Sequence, residues 1–237
     1  FEVAAAGGSS PQWKQLFGDS DPAKDAGYQK LSARMIAAGV DFRLSNLNGN
    51  SPTNPWSELD TVLISGGGVA QPQKGTYRIH HDVVTADAYI TVPVLKIHDP
   101  GITCALKNQI GLAPSTLYGF SKTAGVPQNN RAYRLLHISQ APYNWTDKEI
   151  VDLCSAAKIK YAVVDALMCL EVQKTVKSDK SNQVRMNAIV AGEDPVAVDH
   201  VCARLVGLNP DDVEHITLAD RVGLGTNDPQ KINLVGA

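Results

Sequence analysis

The sequence predicts an α/β domain, a layered sandwich with a largely parallel β-sheet flanked by helices. Short runs that are apolar on both faces, among them Thr61 to Ile64, Ala88 to Val92 and Ile159 to Val164, alternate with stretches of helical period. The 237 residues are 43% hydrophobic and 19% charged, enough to bury a substantial core and too apolar for a disordered tail. The longest apolar stretch, Tyr161 to Leu170, is interrupted by Asp165 and falls short of the roughly 18–20 residues of a membrane span. A soluble globular chain is expected.

The elements follow from local signals. Residues 1–20, rich in Gly, Ala, Ser and Pro, read as a lead-in, and residues 21–237 as a single α/β domain. Asp21-Pro22 starts a helix that Gly39 ends, with Tyr28, Leu31, Met35 and Ile36 along one face. Val40 to Leu47 alternates as a strand, and Thr61 to Ile64 is a buried strand stopped by Gly66-Gly67-Gly68. His80 to Ala86 reads as a short helix, Ala88 to Val92 as a strand closed by Pro93, and Ile102 to Ile110 as a helix ended by Gly111. Helices are expected over Tyr133 to Ile138 and Thr146 to Ala157, then a strand from Ile159 that stops at Asp165. Lys174 to Gln183 is a charged loop, Met186 to Ala191 a strand, Asp194 to Val206 and Asp211 to Val222 helices, and Lys231 to Val235 a last strand.

Charge and cysteine usage exclude several functions. Twenty-two Lys and Arg against 24 Asp and Glu leave a net charge of −2, so no global positive field exists for nucleic acid or an anionic membrane. An anionic ligand must be caught by a local site. The four cysteines, 104, 154, 169 and 202, form no C-x-x-C pair and read as buried or semi-buried thiols. No disulfide framework, zinc site or iron–sulfur motif has its spacing here. The chain opens at Phe1 with neither Met nor a signal segment, which fits a processed or exported form or a piece of something longer, and leaves the compartment open.

The chemistry gathers in two segments. In the first, a strand ends at Pro93, Lys96 and His98 follow on alternate residues, and Thr103 and Lys107 would share one face of the expected helix. A helix N-terminus offers unpaired N–H groups and partial positive charge, so with these cations it forms a cradle for a carboxylate or phosphate. The same residues also read as solvated lysines and a packed histidine. In the second, Asp194-Pro195 is an N-cap pair, and Asp199 lies among apolar residues where a carboxylate needs a partner, for which Lys96, Lys107 or Arg204 would serve. Asp165, at a strand's carboxyl end, stands where α/β sheets place ligand contacts. His80, His81 and Asp82 are ligand types, but neighbours on a helix point apart, and His137 reads as structural.

Together these segments resemble the family called domain of unknown function 362. The resemblance rests on Pro93, Lys96-Ile-His98, Thr103, Leu106-Lys107-Asn108 and Gly111, and on Ala191-Gly192-Glu-Asp194-Pro-Val-Ala-Val-Asp199 with Ala203-Arg204-Leu205 and Gly207. It runs over roughly residues 59–236. The chain departs from the family pattern in lacking an opening K-P-N step, in carrying Val94 where a Lys is common, and in lacking a glycine-rich turn after Asp165. The ferredoxin-like cysteine cluster and twin-arginine signal of many relatives are absent too.

The resemblance implies a fold and a polar cluster, and it assigns no reaction. Read with the residues, it points to a small-molecule enzyme or ligand-binding protein acting on a small anionic carboxylate or phosphate. Lys96 and Lys107 would hold the anion, His98 would move a proton and Asp199 would orient a lysine, with Thr103, Asn108, Asp194 and Asp165 as further contacts. The alternative is a non-catalytic metal, redox-partner or scaffold module, with His80, His81, His98 or Cys104 among the ligands. The cofactor is left unassigned, and a homo-oligomer or a larger protein partner is open.

Overall fold

Pro93 has no N–H to give a sheet, and the chain around it breaks into two short strands on one edge of a long one. That arrangement is seen in a computed structural model, which describes residues 2–5, 28–48, 59–63, 76–98, 101–118, 145–170 and 183–236. The chain divides into two compact units. One comprises residues 1–62, 77–85 and 111–140, the other residues 63–76, 86–110 and 141–237.

In the first unit β1 (Glu2–Ala5) pairs in parallel with β2 (Arg43–Asn46), and α1 (Tyr28–Ala37) lies between them in sequence. A second pair joins β3 (Leu59–Leu63) to β4 (Thr76–His80), followed by α2 (His81–Thr85). Asp82 ties α2 to β2, since its carboxylate accepts from Arg43 at 3.2 Å and from the Ser45 hydroxyl at 3.2 Å. The short α3 (Ser115–Tyr118) supplies a tyrosine hydroxyl that accepts from the Arg78 N–H at 2.8 Å. The apolar stripe expected on α1 is not covered, because no residue of that helix is buried and Ile36 is 59% exposed.

The second unit holds a five-stranded sheet built on one strand. β5 (Tyr89–Thr91) and β6 (Val94–Ile97) both run parallel to β8 (Ile159–Leu170), and the Pro93 carbonyl between them accepts from the Asp165 N–H at 2.9 Å. β7 (Ile102–Thr103) pairs antiparallel with β6, and β9 (Gln183–Gly192) antiparallel with β8. Helices α4 (Trp145–Ala157), α5 (Pro195–Leu205) and α6 (Glu214–Arg221) belong to the same unit. Its core gathers Leu95, Ile102, Leu106, Ile150, Val164, Val196 and Ile216. The α/β class is therefore present, and the expected largely parallel sheet is met in part: β5 and β6 pair with β8 in parallel, while β7 and β9 add antiparallel ladders, the β8–β9 one being the longest.

Several elements differ from expectation for non-local reasons. The helix expected over 102–110 is a strand, a turn and a 3-10 helix (Lys107–Leu112), because Gly101 adopts φ +67° and closes a β6–β7 hairpin in which the His98 N–H donates to the Gly101 carbonyl at 3.0 Å. Asp165 is not a strand end, since pairing with β9 carries β8 on to Leu170. The helix expected over 211–222 is a 3-10 turn (Pro210–Asp212) and then α6. Residues 231–235 form no strand, and Val235 is 81% exposed. The Asp21-Pro22 start of the first helix, the glycine run, the Tyr133 to Ile138 helix and residues 174–182 of the lysine loop lie outside the described residues.

The Asp194 cap was legible and is fully engaged. Its Oδ1 accepts from the N–H groups of Val196 at 2.8 Å and Ala197 at 2.9 Å, while Oδ2 accepts from Thr226 at 2.8 Å. A Cβ placed at Gly225 would overlap this carboxylate. Three hydrogen bonds hold the acceptor still, so relief must come from the backbone. Gly225→Ala should lose about 1–3 kcal/mol, read as a lowered urea midpoint at unchanged slope. An unchanged midpoint would contradict the overlap.

Candidate functional site

The β6–β7 hairpin assembles the sequence-predicted cations. Lys96 stands directly across from Thr103 in the ladder, on the face opposite the buried Leu95. His98 follows on the same alternation, just beyond the strand. Lys107, at the start of the 3-10 helix, folds back over it. Its Nζ donates to the His98 carbonyl at 2.6 Å and lies 3.2 Å from His98 Nδ1, and the residue is only 6% exposed. An ammonium can only donate, so Nδ1 receives, and a neutral His98 ring carries its proton on Nε2.

Asp199 reaches this segment from α5, but not through a lysine. Its Oδ1 accepts from the Ala105 N–H at 2.7 Å and its Oδ2 from Leu106 at 3.2 Å. The unpaired amides expected at a helix start are thus taken by the protein's own carboxylate. Among the described residues neither Lys96, Lys107 nor Arg204 pairs with it, which corrects the expected lysine-orienting contact. The physical reason is the turn at 104–106, which aims two consecutive N–H groups into the core, where a buried carboxylate is the acceptor at hand.

The remaining predicted contacts are placed as follows. The exposed Asn108 gives its side-chain N–H to Thr91 Oγ1 at 3.0 Å. Asp194 caps α5, and Asp165 lies opposite Val94 with its Oδ1 accepting from the Leu167 N–H at 2.9 Å. Neither touches the Lys107–His98 pair. In the other unit His80 and His81 are used locally: His80 Nδ1 accepts from the Asp82 N–H at 3.2 Å, and His81 Nδ1 pairs with Asp60 at 2.7 Å. Among the described residues no group of three or more His, Cys, Asp or Glu is placed to hold a metal ion.

Two polar networks had no sequence signal. Gln109, fully buried, donates to Thr91 Oγ1 at 2.9 Å and to the Ala105 carbonyl at 2.8 Å, and accepts from the Tyr89 hydroxyl at 3.0 Å. It locks the segment after Lys107 onto β5. His215 is also fully buried, with its N–H and Nδ1 on Asp147 Oδ1 at 3.1 and 2.7 Å, while Nε2 has no hydrogen-bond partner among the described residues. Asp147 thereby caps α6 from another helix, where Val213 has no side chain able to do so. Only an Asp and a His some seventy residues apart could have hinted at it.

Burial raises the carboxyl of Asp199 to about 6, against lowering by His215, by the Cys104 thiol and by the Leu106 and Ala105 amides. Burial likewise pushes the Cys104 and Cys154 thiols up, so neither is a ready thiolate. Because the folded-state value for Asp199 lies above the ordinary 3.8, the folded chain holds that proton more tightly. This contribution to stability is full below about pH 4 and is lost as pH rises through about 6. Relative to Asp199→Asn, the native chain should lose about 2 kcal/mol between pH 4 and 7. Urea titrations of both chains at the two pH values measure it, and a pH-independent difference would refute it.

Comparison with known proteins gives one match. No curated protein and no solved structure matches the chain. The family model for a domain of unknown function, DUF362, matches residues 17–204, which takes in the β6–β7 hairpin and nearly all of α5. Carrying both the Lys96-Ile-His98 segment and the Asp194 to Asp199 segment inside that span, the chain belongs to the DUF362 family.

Proposed function

We propose that this chain binds a small anionic molecule, a carboxylate or phosphate, beside the β6–β7 hairpin, and that His98 transfers a proton to it. The supporting observation is the Lys107 ammonium held at 2.6 Å from the His98 carbonyl and 3.2 Å from Nδ1. Lys96 adds a second cation two residues before His98 on the same alternation. A proton given by Nε2 to the anion is replaced at Nδ1 by one from Lys107, so the ring stays neutral and the lysine ends neutral. Thr103, across from Lys96, adds a hydroxyl that donates or accepts. Asp199 acts at one remove, by fixing the 104–106 turn from which Lys107 projects.

A second reading has its own support. Asp199 already satisfies the turn amides and Lys107 is buried, which suits a scaffold in which the motif serves only as core electrostatics.

Calorimetry with lactate, acetate and inorganic phosphate separates the two. Under the binding reading at least one anion binds, and Lys96→Met and His98→Gln each weaken it about tenfold or more while folding normally. Absence of binding by every anion, or equal binding by the variants, would leave the scaffold reading.

A further inference from the structure

A second polar site lies along α5, in the same unit but sharing no residue with the hairpin cluster. A cleft of about 530 Å³ is lined there by His200, Arg204, Leu208, Asn209, Asp211 and Asn227, among others. That volume falls in the range of small-molecule sites. His200 is only 6% exposed, and its Nδ1 lies 2.8 Å from Asn227 Oδ1. Asn227 in turn donates through Nδ2 to Asp211 Oδ1 at 2.7 Å.

This chain fixes the histidine's tautomer. A carboxylate only accepts, so the Asn227 amide must turn its NH2 to Asp211 and its carbonyl to His200. Nδ1 then carries the hydrogen, and the neutral ring keeps a bare lone pair at Nε2. Among the described residues that nitrogen has no hydrogen-bond partner, although the rest of the ring is nearly enclosed. Asn227 is itself held in place: its N–H donates to Asp220 at 3.3 Å, and the preceding Thr226 N–H to Asp194.

Arg204 stands four residues after His200 on the helix, so the two share a face. It is exposed, and its guanidinium makes no ion pair or hydrogen bond among the described residues. Among the described residues only Oδ1 of the Asp211 carboxylate is engaged. The cleft therefore presents one cationic fork beside two acceptors. A plain anion would suit the fork and be repelled by the acceptors, and a cation would be repelled by the fork.

We infer that this cleft binds a hydroxylated anion of the sugar-acid or sugar-phosphate kind: Arg204 takes the carboxylate or phosphate, while His200 Nε2 and Asp211 Oδ2 accept hydrogen bonds from hydroxyls. The head group can come from either source, and two probes distinguish them. Calorimetry with gluconate and with glucose 6-phosphate should show binding of at least one, and the tighter identifies the head group. In Lys96→Met, where hairpin binding is weakened, glucose, acetate and inorganic phosphate should each bind about tenfold more weakly than the tight probe or worse, and Arg204→Gln should weaken that probe by a similar factor. Nitrogen-15 spectra should show His200 protonated at Nδ1, with the Nε2 resonance moving on addition of that probe. The inference is overturned if neither probe binds at millimolar concentration, if the simple anions bind Lys96→Met as well as the probe does, or if Arg204→Gln or the Nε2 resonance is indifferent. Lys96→Met should leave this binding intact, and Arg204→Gln should leave lactate or phosphate binding at the hairpin intact, so the two sites fail separately.

Discussion

The geometry around the hairpin depends on one buried interaction, the Asp199 carboxylate receiving the N–H groups of Ala105 and Leu106. Without it, two amides inside an apolar core would be unsatisfied, and the turn that leads into Lys107 would have no reason to keep its shape. The cost of confining a charge is visible in the raised carboxyl value, and the amides, the Cys104 thiol and His215 offset it only in part. A turn with little regular structure is thus anchored from a helix. Lys107 is delivered onto His98 as a consequence.

How much of this could be read from the chain differs by residue. Asp194-Pro195 announced the start of α5 because capping is a local rule, needing only a side-chain acceptor and a residue without an N–H. The stretch after Ile102 misled because its apolar spacing fits a helix, while the deciding influence is pairing with β6 and the left-handed Gly101. Asp165 misled in the same way, since β9 continues a strand that composition alone would end there. Lys96 and His98 were legible as a pair from their alternate spacing after Pro93, though that segment was expected to follow the strand and is instead β6 itself, with His98 just past its end. That Asp199 needed a partner was also legible; that the partner would be main chain was not, because backbone amides leave no mark in a sequence.

Helix α5 works on two faces. Neighbouring residues on an α-helix point about 100° apart, so Asp199 can serve the turn at 104–106 while His200 serves the cleft. Its first residues are also tied to the final segment through Asp194 and Thr226. One rigid element therefore orients the groups of both polar sites, and a helix does so more accurately than a loop. Membership of the DUF362 family is consistent with such a frame and by itself assigns no chemistry to it.

All four cysteines are enclosed in the second unit, and none is bridged. A sulfhydryl reagent added to the folded chain therefore reacts through openings of that interior, and, where reclosing outpaces modification, its consumption measures the open population. The unmodified protein thus carries an internal gauge of how far its second unit opens, with no probe introduced.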